Sequence, residues 1–187
     1  MNVVAAFLRS VAYEVVRFVV TVIFAAVSLL TFPFRPITRY RIITAWSHLF
    51  VSLAGMICGV RYRVIGLDNL PTVACIVLSK HQSAWETLAY QVILPPQVWV
   101  LKRELLRVPF FGWGLAMMSP IAIDRGSAMR ALKQTLEQGK SRLSAGWWIV
   151  MFPEGTRIAP GKRGRYHVGG AWLACKTGAP VLPIAHN

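Results

Sequence analysis

Acidic residues are scarce in this sequence. Its 187 residues include 7 Asp and Glu against 21 Lys and Arg, which gives a formal net charge of +14 at pH 7. Such a charge favours anionic partners, among them lipid head groups, phosphate-bearing substrates, acidic carrier proteins and nucleic acid. The apolar content of 55% makes nucleic acid the weakest of these, and no nucleic-acid-binding module is recognisable. We therefore expect an anionic lipid or phosphate-bearing partner and no nucleic acid.

Cysteine is also rare, and the three cysteines are far apart along the chain. Cys58, Cys75 and Cys175 each lie within an apolar run, and no spacing among them suits a metal site. An odd count argues against a complete disulfide framework, so we expect buried, reduced thiols. The sequence therefore predicts no metal site.

The motifs of several common enzyme classes are missing. There is no Gly-x-Ser-x-Gly elbow, no glycine-rich dinucleotide loop and no Walker-type phosphate loop. The sequence therefore lacks the motifs that are usual for hydrolases and nucleotide-binding proteins. Because no Ser or Cys stands in a recognisable nucleophilic setting, direct transfer is favoured over a covalent enzyme intermediate.

Two long apolar runs organise the first third of the chain. They cover residues 18–32 and 42–60, and the segment between them contains Pro33, Pro36 and three arginines. A helix needs about 20 apolar residues to cross a bilayer, a length that only the second run reaches. We predict a two-helix membrane-docking or membrane-spanning motif over residues 1–60 and favour helices embedded in one leaflet. A transmembrane hairpin and a pair of soluble core helices are the alternatives, whereas a signal peptide is disfavoured because no small-residue cleavage site follows.

From residue 61 onward, short apolar runs alternate with helical segments. This alternation predicts an α/β fold with a mixed, mostly parallel sheet flanked by helices. The chain ends at Asn187 directly after a strand, so we expect the domain at 61–187 to be truncated at its C-terminus. The predicted strands are 61–65, 73–79, 98–101, 121–123, 147–152 and 181–185, and the predicted helices are 83–92, 110–118, one capped by Ser127, and 170–177.

His81 and Glu86 are the first candidates for chemistry. His81 stands at the exit of the predicted strand 73–79, and Glu86 lies in the first turn of the next helix. Ser83 and Glu86 also fit a capping box, which would make Glu86 a cap and His81 a loop residue. Alternatively, the carboxylate orients one imidazole nitrogen while the other accepts a proton from a hydroxyl group. These residues alone leave both interpretations open.

A second candidate is the turn Glu154-Gly155-Thr156-Arg157, directly after the predicted strand 147–152. The carboxyl ends of strands are where α/β folds bind ligands. Gly155 permits close approach of the backbone, and the planar guanidinium of Arg157 suits phosphate. The basic residues that follow either add to a local positive field or form a solvated loop: Lys162, Arg163 and Arg165.

Lys102 and the pair Asp124–Arg125 also follow predicted strands. Their positions place both on the rim where we expect His81. Asp124–Arg125 is explained equally well as a surface ion pair of little energetic weight. Each signal is weak alone, and their convergence on one rim strengthens them.

Four separated motifs occur in order along the chain. They are His81-x4-Glu86; Lys102-x-Glu104-Leu105 with Pro109-Phe110-Phe111-Gly112 and Asp124-Arg125-Gly126; Phe152-Pro153-Glu154-Gly155-Thr156-Arg157; and Val181-Leu182-Pro183-Ile184-Ala185. Together they resemble the four blocks of the glycerolipid acyltransferase family. The likeness is greatest to its bacterial 1-acyl-sn-glycerol-3-phosphate acyltransferases, and it extends from about residue 61 to residue 187.

The resemblance implies an activity and a place for it. The family transfers a fatty acyl group from acyl-CoA or acyl-carrier protein to the 2-hydroxyl of lysophosphatidic acid, which gives phosphatidic acid. These are substrates, and the resemblance implies no separate cofactor. It also implies a two-helix membrane motif before the catalytic domain, which the two apolar runs are similar to. We therefore expect a protein of the bacterial inner membrane with its active site facing the cytoplasm.

The resemblance also implies roles for individual residues. His81 matches the general base, Glu86 its acidic partner, and Lys102 a lysine near the thioester carbonyl, where a cation offsets oxyanion charge. The positions expected to bind substrate are Arg125, Glu154, Gly155, Thr156 and Arg157, with phosphate contacts implied for the two arginines.

Two residues depart from the family's pattern. Its usual acid is Asp, whereas this chain has Glu86, and Lys80 stands where the family often has Asn. Because Glu is one methylene longer, its carboxylate meets His81 only if the helix start shifts or the rotamer folds back. The alternative functions are acylation of another lysolipid and a catalytically silent adaptor that binds anionic lipid.

Overall fold

A computed structural model describes residues 3–186, which form two compact units. One unit takes in the chain up to Ile65, together with Thr87–Leu94 and Leu106–Met118. The other takes in Gly66–Glu86, Pro95–Leu105 and the chain from Ser119 onward. The domain boundary predicted between residues 60 and 61 stays a prediction.

The first unit is helical. It contains α1 (Val3–Leu30), α2 (Pro36–Leu53), which runs on through a π-helical turn to Cys58, most of α3 (Trp85–Ile93), and α4 (Phe111–Met117). By length and composition, α1 and the segment Pro36–Cys58 are each sufficient to cross a membrane. Large apolar side chains on α1 are exposed, so this helix has an apolar surface that suits lipid.

Local chemistry supports the N-terminal parts of both helices. α1 covers residues well before the apolar run at 18–32, and there Glu14 and Arg17 form an ion pair three residues apart that suits a helix. α2 begins with Pro36 in its first turn, where a missing N–H costs no hydrogen bond. Whether these helices cross a bilayer or lie in one leaflet stays a prediction.

The second unit is built on a five-stranded sheet of order β3-β2-β4-β1-β5 in which every strand pair is parallel. This confirms the predicted α/β class. β1 and β4 lie inside the sheet, and Ile76, Val77, Ile149 and Val150 are fully buried there. The strands are β1 (Ile76–Ser79), β2 (Gln97–Lys102), β3 (Ile121–Ile123), β4 (Trp148–Met151) and β5 (Val181–Ile184).

Two helices of the second unit pack beside this sheet, α5 (Ala128–Ser144) and α6 (Gly169–Thr177). α5 begins after Ser127, whose hydroxyl accepts a hydrogen bond from the Arg130 amide, as the sequence predicted. α6 approaches β1 closely at Gly170. A Cβ atom added at this position would lie only 2.6 Å from Leu78 Cδ2. A side chain at position 170 would therefore have to displace the end of the Leu78 side chain.

Two local predictions are wrong. Residues 61–65 form no strand, since all five are exposed and the segment has no buried face to pack. Cys175 is exposed, although the Cys75 thiol is buried as expected.

Candidate active site

The parallel sheet brings several predicted residues to one edge. Since all the strands run the same way, their carboxyl ends share that edge, and β1 and β4 are neighbours. The chain leaving β1 carries His81, and the chain leaving β4 carries Phe152 and the turn Glu154–Arg157. Two segments that are about 70 residues apart in sequence therefore meet, as expected for a ligand site of this fold class.

His81 and Glu86 are in direct contact. His81 Nδ1 lies 2.7 Å from Glu86 Oε1, and the Glu86 side chain is only 3% exposed. The same carboxylate oxygen accepts hydrogen bonds from the amides of Gln82 and Ser83, at 2.6 and 2.7 Å. Glu86 therefore caps α3 and holds the imidazole at once, and its extra methylene does not prevent it from reaching the ring.

The cap differs in one detail from the predicted capping box. The Ser83 hydroxyl accepts a hydrogen bond from the amide of Trp85, at 3.0 Å, and donates one to Glu86 Oε2. The carboxylate is thus surrounded by donors on both oxygens. Burial by itself raises the pKa of Glu86, but the hydrogen bonds from His81 and Ser83 outweigh burial and lower the pKa to about 2. Glu86 is therefore ionised at neutral pH.

The plane of the His81 ring is fixed by Phe152, a contact that the sequence analysis missed. The two rings stack with centroids 4.1 Å apart and an interplanar angle of 8°, and Trp99 stacks on Phe152 at 5.6 Å. The His81 carbonyl accepts a hydrogen bond from the Ile158 amide at 2.8 Å. Among residues 3–186, no hydrogen bond to His81 Nε2 is present, so this nitrogen is open to accept a proton.

Glu154 is buried among hydrogen-bond donors, and its predicted role in binding substrate stays a prediction. It is 4% exposed, and its carboxylate accepts hydrogen bonds from Lys80 Nζ at 3.2 Å and from the Gly164 amide at 2.8 Å. The Gly164 amide bond is the main cause of a lowered pKa for this carboxyl; burial opposes it and Lys80 adds to it. Glu154 is thus an ionised, buried anchor for the loop that follows it.

Gly155 lies between two basic side chains. Its carbonyl accepts a hydrogen bond from Arg125 Nη1 at 2.6 Å, and its φ of +67° suits glycine. A Cβ atom at this position would lie 3.3 Å from His167 Cδ2 and 3.8 Å from Arg125 Nη1. Asp124 pairs with Arg130 at 3.2 Å, so the alternative interpretation, a surface ion pair between Asp124 and Arg125, does not hold.

His167 is a second residue that the sequence analysis did not single out. In the sequence it is only a histidine ten positions after Arg157, where the Glu-Gly-Thr-Arg turn ends, and no spacing rule points to it. The loop path brings it back because its amide donates to the Pro153 carbonyl at 2.8 Å.

The other predicted residues are exposed. Thr156 and Arg157 lie at the surface of the turn, and within residues 3–186 the Arg157 guanidinium has no ion-pair partner. Lys102 is half-exposed at the end of β2, 3.9 Å from Glu104. The contacts thus join His81 to Glu86 and Arg125 to Gly155. Lys102 and Arg157 lie at the same edge of the sheet but contact neither pair.

This arrangement has the parts of a general base. A buried, ionised carboxylate holds Nδ1, which leaves Nε2 for proton transfer, and basic groups lie along the turn beside it. A sequence model of the Acyltransferase family matches residues 61–187, which include all of these groups. The chain belongs to the acyltransferase family.

Individual relatives agree with this membership. The chain is 51% identical to 1-acyl-sn-glycerol-3-phosphate acyltransferase of Pseudomonas aeruginosa over 156 residues, which cover 83% of this chain and 60% of that protein. It is 31% identical to the Saccharomyces cerevisiae protein of the same name over 149 residues, covering 74% of this chain and 46% of the yeast protein. The chain spans less than two thirds of the length of these curated relatives.

A solved structure shares the fold of this acyltransferase-family chain. The crystal structure of the 1-acyl-sn-glycerophosphate (LPA) acyltransferase PlsC from Thermotoga maritima matches 98% of this chain and 74% of its own, with a TM-score of 0.77 and 25% identity. The similarity therefore includes the apolar helices α1 and α2 as well as the sheet.

Proposed function

We propose that this protein transfers a fatty acyl group from acyl-CoA or acyl-carrier protein to the 2-hydroxyl of lysophosphatidic acid, giving phosphatidic acid. The observation that carries the proposal is the contact of His81 Nδ1 with the buried Glu86 carboxylate at 2.7 Å, with Nε2 left open, in a chain of this family. The names of the relatives support lysophosphatidic acid as the acceptor.

The proposed reaction is a direct transfer. His81 Nε2 takes the proton of the acceptor hydroxyl as its oxygen attacks the thioester carbonyl, and a tetrahedral intermediate forms. The intermediate collapses, the carbon–sulfur bond breaks, and the thiolate leaves with the proton that His81 returns to it. Glu86 stabilises the imidazolium that exists between these steps, and Lys102 offsets charge on the carbonyl oxygen.

The acceptor phosphate is assigned to Arg125 and Arg157. Arg125 already lies against the turn through Gly155, and Arg157 is exposed on the same turn with its guanidinium free of internal ion pairs in the described residues. Guanidinium groups bind phosphate with two parallel hydrogen bonds, so this pair favours an acceptor that carries a phosphomonoester.

The site is proposed to work at a membrane. The acyl donor, lysophosphatidic acid and phosphatidic acid all carry acyl chains. The apolar helices α1 and α2 are long enough to meet a bilayer. The net charge of +14 adds attraction to anionic lipid. In a bacterial cell the proposed location is the inner membrane, with the site facing the cytoplasm, where acyl donors are made.

An acceptor panel tests the proposed function. The protein in detergent is given acyl-CoA or acyl-carrier protein with lysophosphatidic acid, lysophosphatidylglycerol or a phosphate-free lysolipid, and product formation is measured. We expect preference for lysophosphatidic acid, and Arg157→Gln should raise the KM for that acceptor by about tenfold, the equivalent of about 1.4 kcal/mol.

Lys140→Gln, which removes an exposed cation from α5, is the matched control and should leave KM unchanged. Equal or greater turnover of a phosphate-free acceptor would contradict the phosphate assignments. Vesicle binding without acyl transfer to any acceptor would indicate that the protein is a lipid-binding adaptor and not an enzyme.

A further inference from the structure

Lys80, one of the two departures from the family's pattern, is bonded across the sheet edge to the loop after β4. Its Nζ lies 3.2 and 3.5 Å from the two carboxylate oxygens of Glu154 and donates to the Lys162 carbonyl at 2.6 Å. The Gly164 amide donates to the same carboxylate at 2.8 Å. We call Lys80, Glu154, Lys162 and Gly164 the Lys80 clamp.

The two charged side chains of the clamp differ in how deeply they are buried. The Glu154 side chain is 1% exposed, whereas that of Lys80 is 22% exposed. Removing the lysine would strand a buried carboxylate, which is strongly unfavourable, whereas removing the carboxylate charge would leave a lysine that still reaches water. This inequality gives the clamp a distinctive mutational signature.

The clamp is coupled to the proposed base through the backbone. Lys80 precedes His81, whose carbonyl accepts a hydrogen bond from the Ile158 amide at 2.8 Å. On the other side, His186 Nε2 donates to the Lys80 carbonyl at 2.9 Å. The segment Lys80–His81 is therefore held by the loop after β4 and by the chain after β5.

We infer that Lys80 and Glu154 are positioning residues that fix the loop 155–165, with its phosphate-binding Arg157, relative to His81. The inference rests on the proposed function for its catalytic consequence. It also assigns Glu154 an inward role: its carboxylate is used by Lys80 and the Gly164 amide, and it holds the loop without contacting the acceptor. The substrate-binding role that the family resemblance implied for Glu154 is thereby reassigned.

A comparison of single and double variants separates these two roles. If Glu154 acts through Lys80, then Lys80→Met is the most damaging single change, and adding Glu154→Gln partly restores the protein because the stranded charge is removed. If Glu154 instead contacts substrate, the effects of Lys80→Met and Glu154→Gln on KM multiply. The two roles therefore predict opposite results for the double variant.

The first readout is the rate of trypsin cleavage within the loop, followed by mass spectrometry. The loop holds four exposed cleavage sites, and cleavage reports local opening of the backbone. We expect cleavage at these sites to be about tenfold faster in Lys80→Met, near the wild-type rate in Lys80→Arg, and intermediate in the double variant, since tenfold corresponds to about 1.4 kcal/mol. The sites are Arg157, Lys162, Arg163 and Arg165.

The second readout is steady-state kinetics. A displaced loop should raise the KM for lysophosphatidic acid in Lys80→Met by about tenfold, and Lys80→Arg should recover most of the loss. The matched control is Lys133→Met, which removes a lysine from the exposed ion pair with Glu137 at 3.9 Å. It should change neither loop cleavage nor KM.

Unchanged loop cleavage in Lys80→Met would overturn the clamp, whatever the enzyme's substrate. Faster cleavage with unchanged KM would overturn the positioning role, as would multiplicative effects in the double variant. A wild-type protein that transfers no acyl group would refute the proposed function, while the cleavage experiment would still decide whether the clamp holds the loop.

Discussion

Glu86→Gln is the substitution that distinguishes an orienting carboxylate from a helix cap. Glutamine keeps a carbonyl oxygen in the place of Oε1, so the amides of Gln82 and Ser83 retain an acceptor and α3 retains most of its cap. The charge beside His81 is lost. We therefore expect a folded protein whose unfolding free energy falls by at most about 3 kcal/mol, together with a large loss of kcat.

The magnitude follows from the contact distance. His81 Nδ1 and Glu86 Oε1 are 2.7 Å apart, which places the two charge centres close together. Opposite unit charges about 4 Å apart attract by about 4 kcal/mol at an effective dielectric constant of about 20. That energy corresponds to about a 10³-fold change in rate, and because the imidazolium is only partly formed in the transition state, we expect kcat to fall on the order of 10²–10³-fold.

The assay is acyl transfer to lysophosphatidic acid, with thermal unfolding measured on the same preparations. Ser83→Ala is the matched control, since it removes the Ser83 hydroxyl from the cap but keeps the carboxylate. It should cost about 1 kcal/mol of stability, the usual cost of losing a cap. Its kcat should stay within about threefold of wild type, a change below 1 kcal/mol. A Glu86→Gln protein that is folded and as active as Ser83→Ala would refute the orienting role.

Three further predictions follow from the same contacts. Because the pKa of Glu86 is lowered from 4.5 to about 2, its contribution to stability is present above about pH 4.5 and lost as the pH falls toward 2. The difference in unfolding free energy between wild type and Glu86→Gln, at most about 3 kcal/mol, should therefore shrink across that range in acid denaturation experiments, and a constant difference would contradict it. Gly155→Ala forces a side chain onto φ +67° and to within 3.3 Å of His167. A strain of about 1–2 kcal/mol should raise the acceptor KM roughly tenfold in steady-state assays, whereas an unchanged KM would show that the turn does not shape the acceptor site. Phe152→Leu removes the ring stacked on His81 at 4.1 Å and should lower kcat by about threefold to tenfold, matching an aromatic pair energy of about 0.5–1.5 kcal/mol; wild-type kcat would argue against the stack as a support.

Local features of the site were readable from the sequence. The apolar strand before His81 and the capping pattern from Ser83 to Glu86 place a histidine and a carboxylate within reach of each other, and the structure has them at 2.7 Å. The strand predicted at residues 61–65 is wrong because a local pattern alone does not make a strand. A strand needs a neighbouring strand and a buried face, and this segment is exposed throughout.

The long-range contacts were not readable, because they depend on strand order. β4 lies next to β1 in the sheet, although β2 and β3 come between these two strands in the chain. Lys80 contacts Glu154, and His81 contacts Phe152, because of this order. No local pattern records this order. The Lys80 clamp therefore appeared in the sequence only as a departure from a family pattern, with no physical reason attached.

Acyl transfer by His81→Ala, measured beside wild type and His48→Ala, tests the central claim most directly. His48 is an exposed histidine of α2, so its substitution controls for the loss of a histidine as such. We predict that His81→Ala loses on the order of 10²–10⁴-fold in turnover of lysophosphatidic acid, the usual cost of removing a general base, and that His48→Ala keeps wild-type activity. Equal turnover by His81→Ala and wild type would contradict the mechanism.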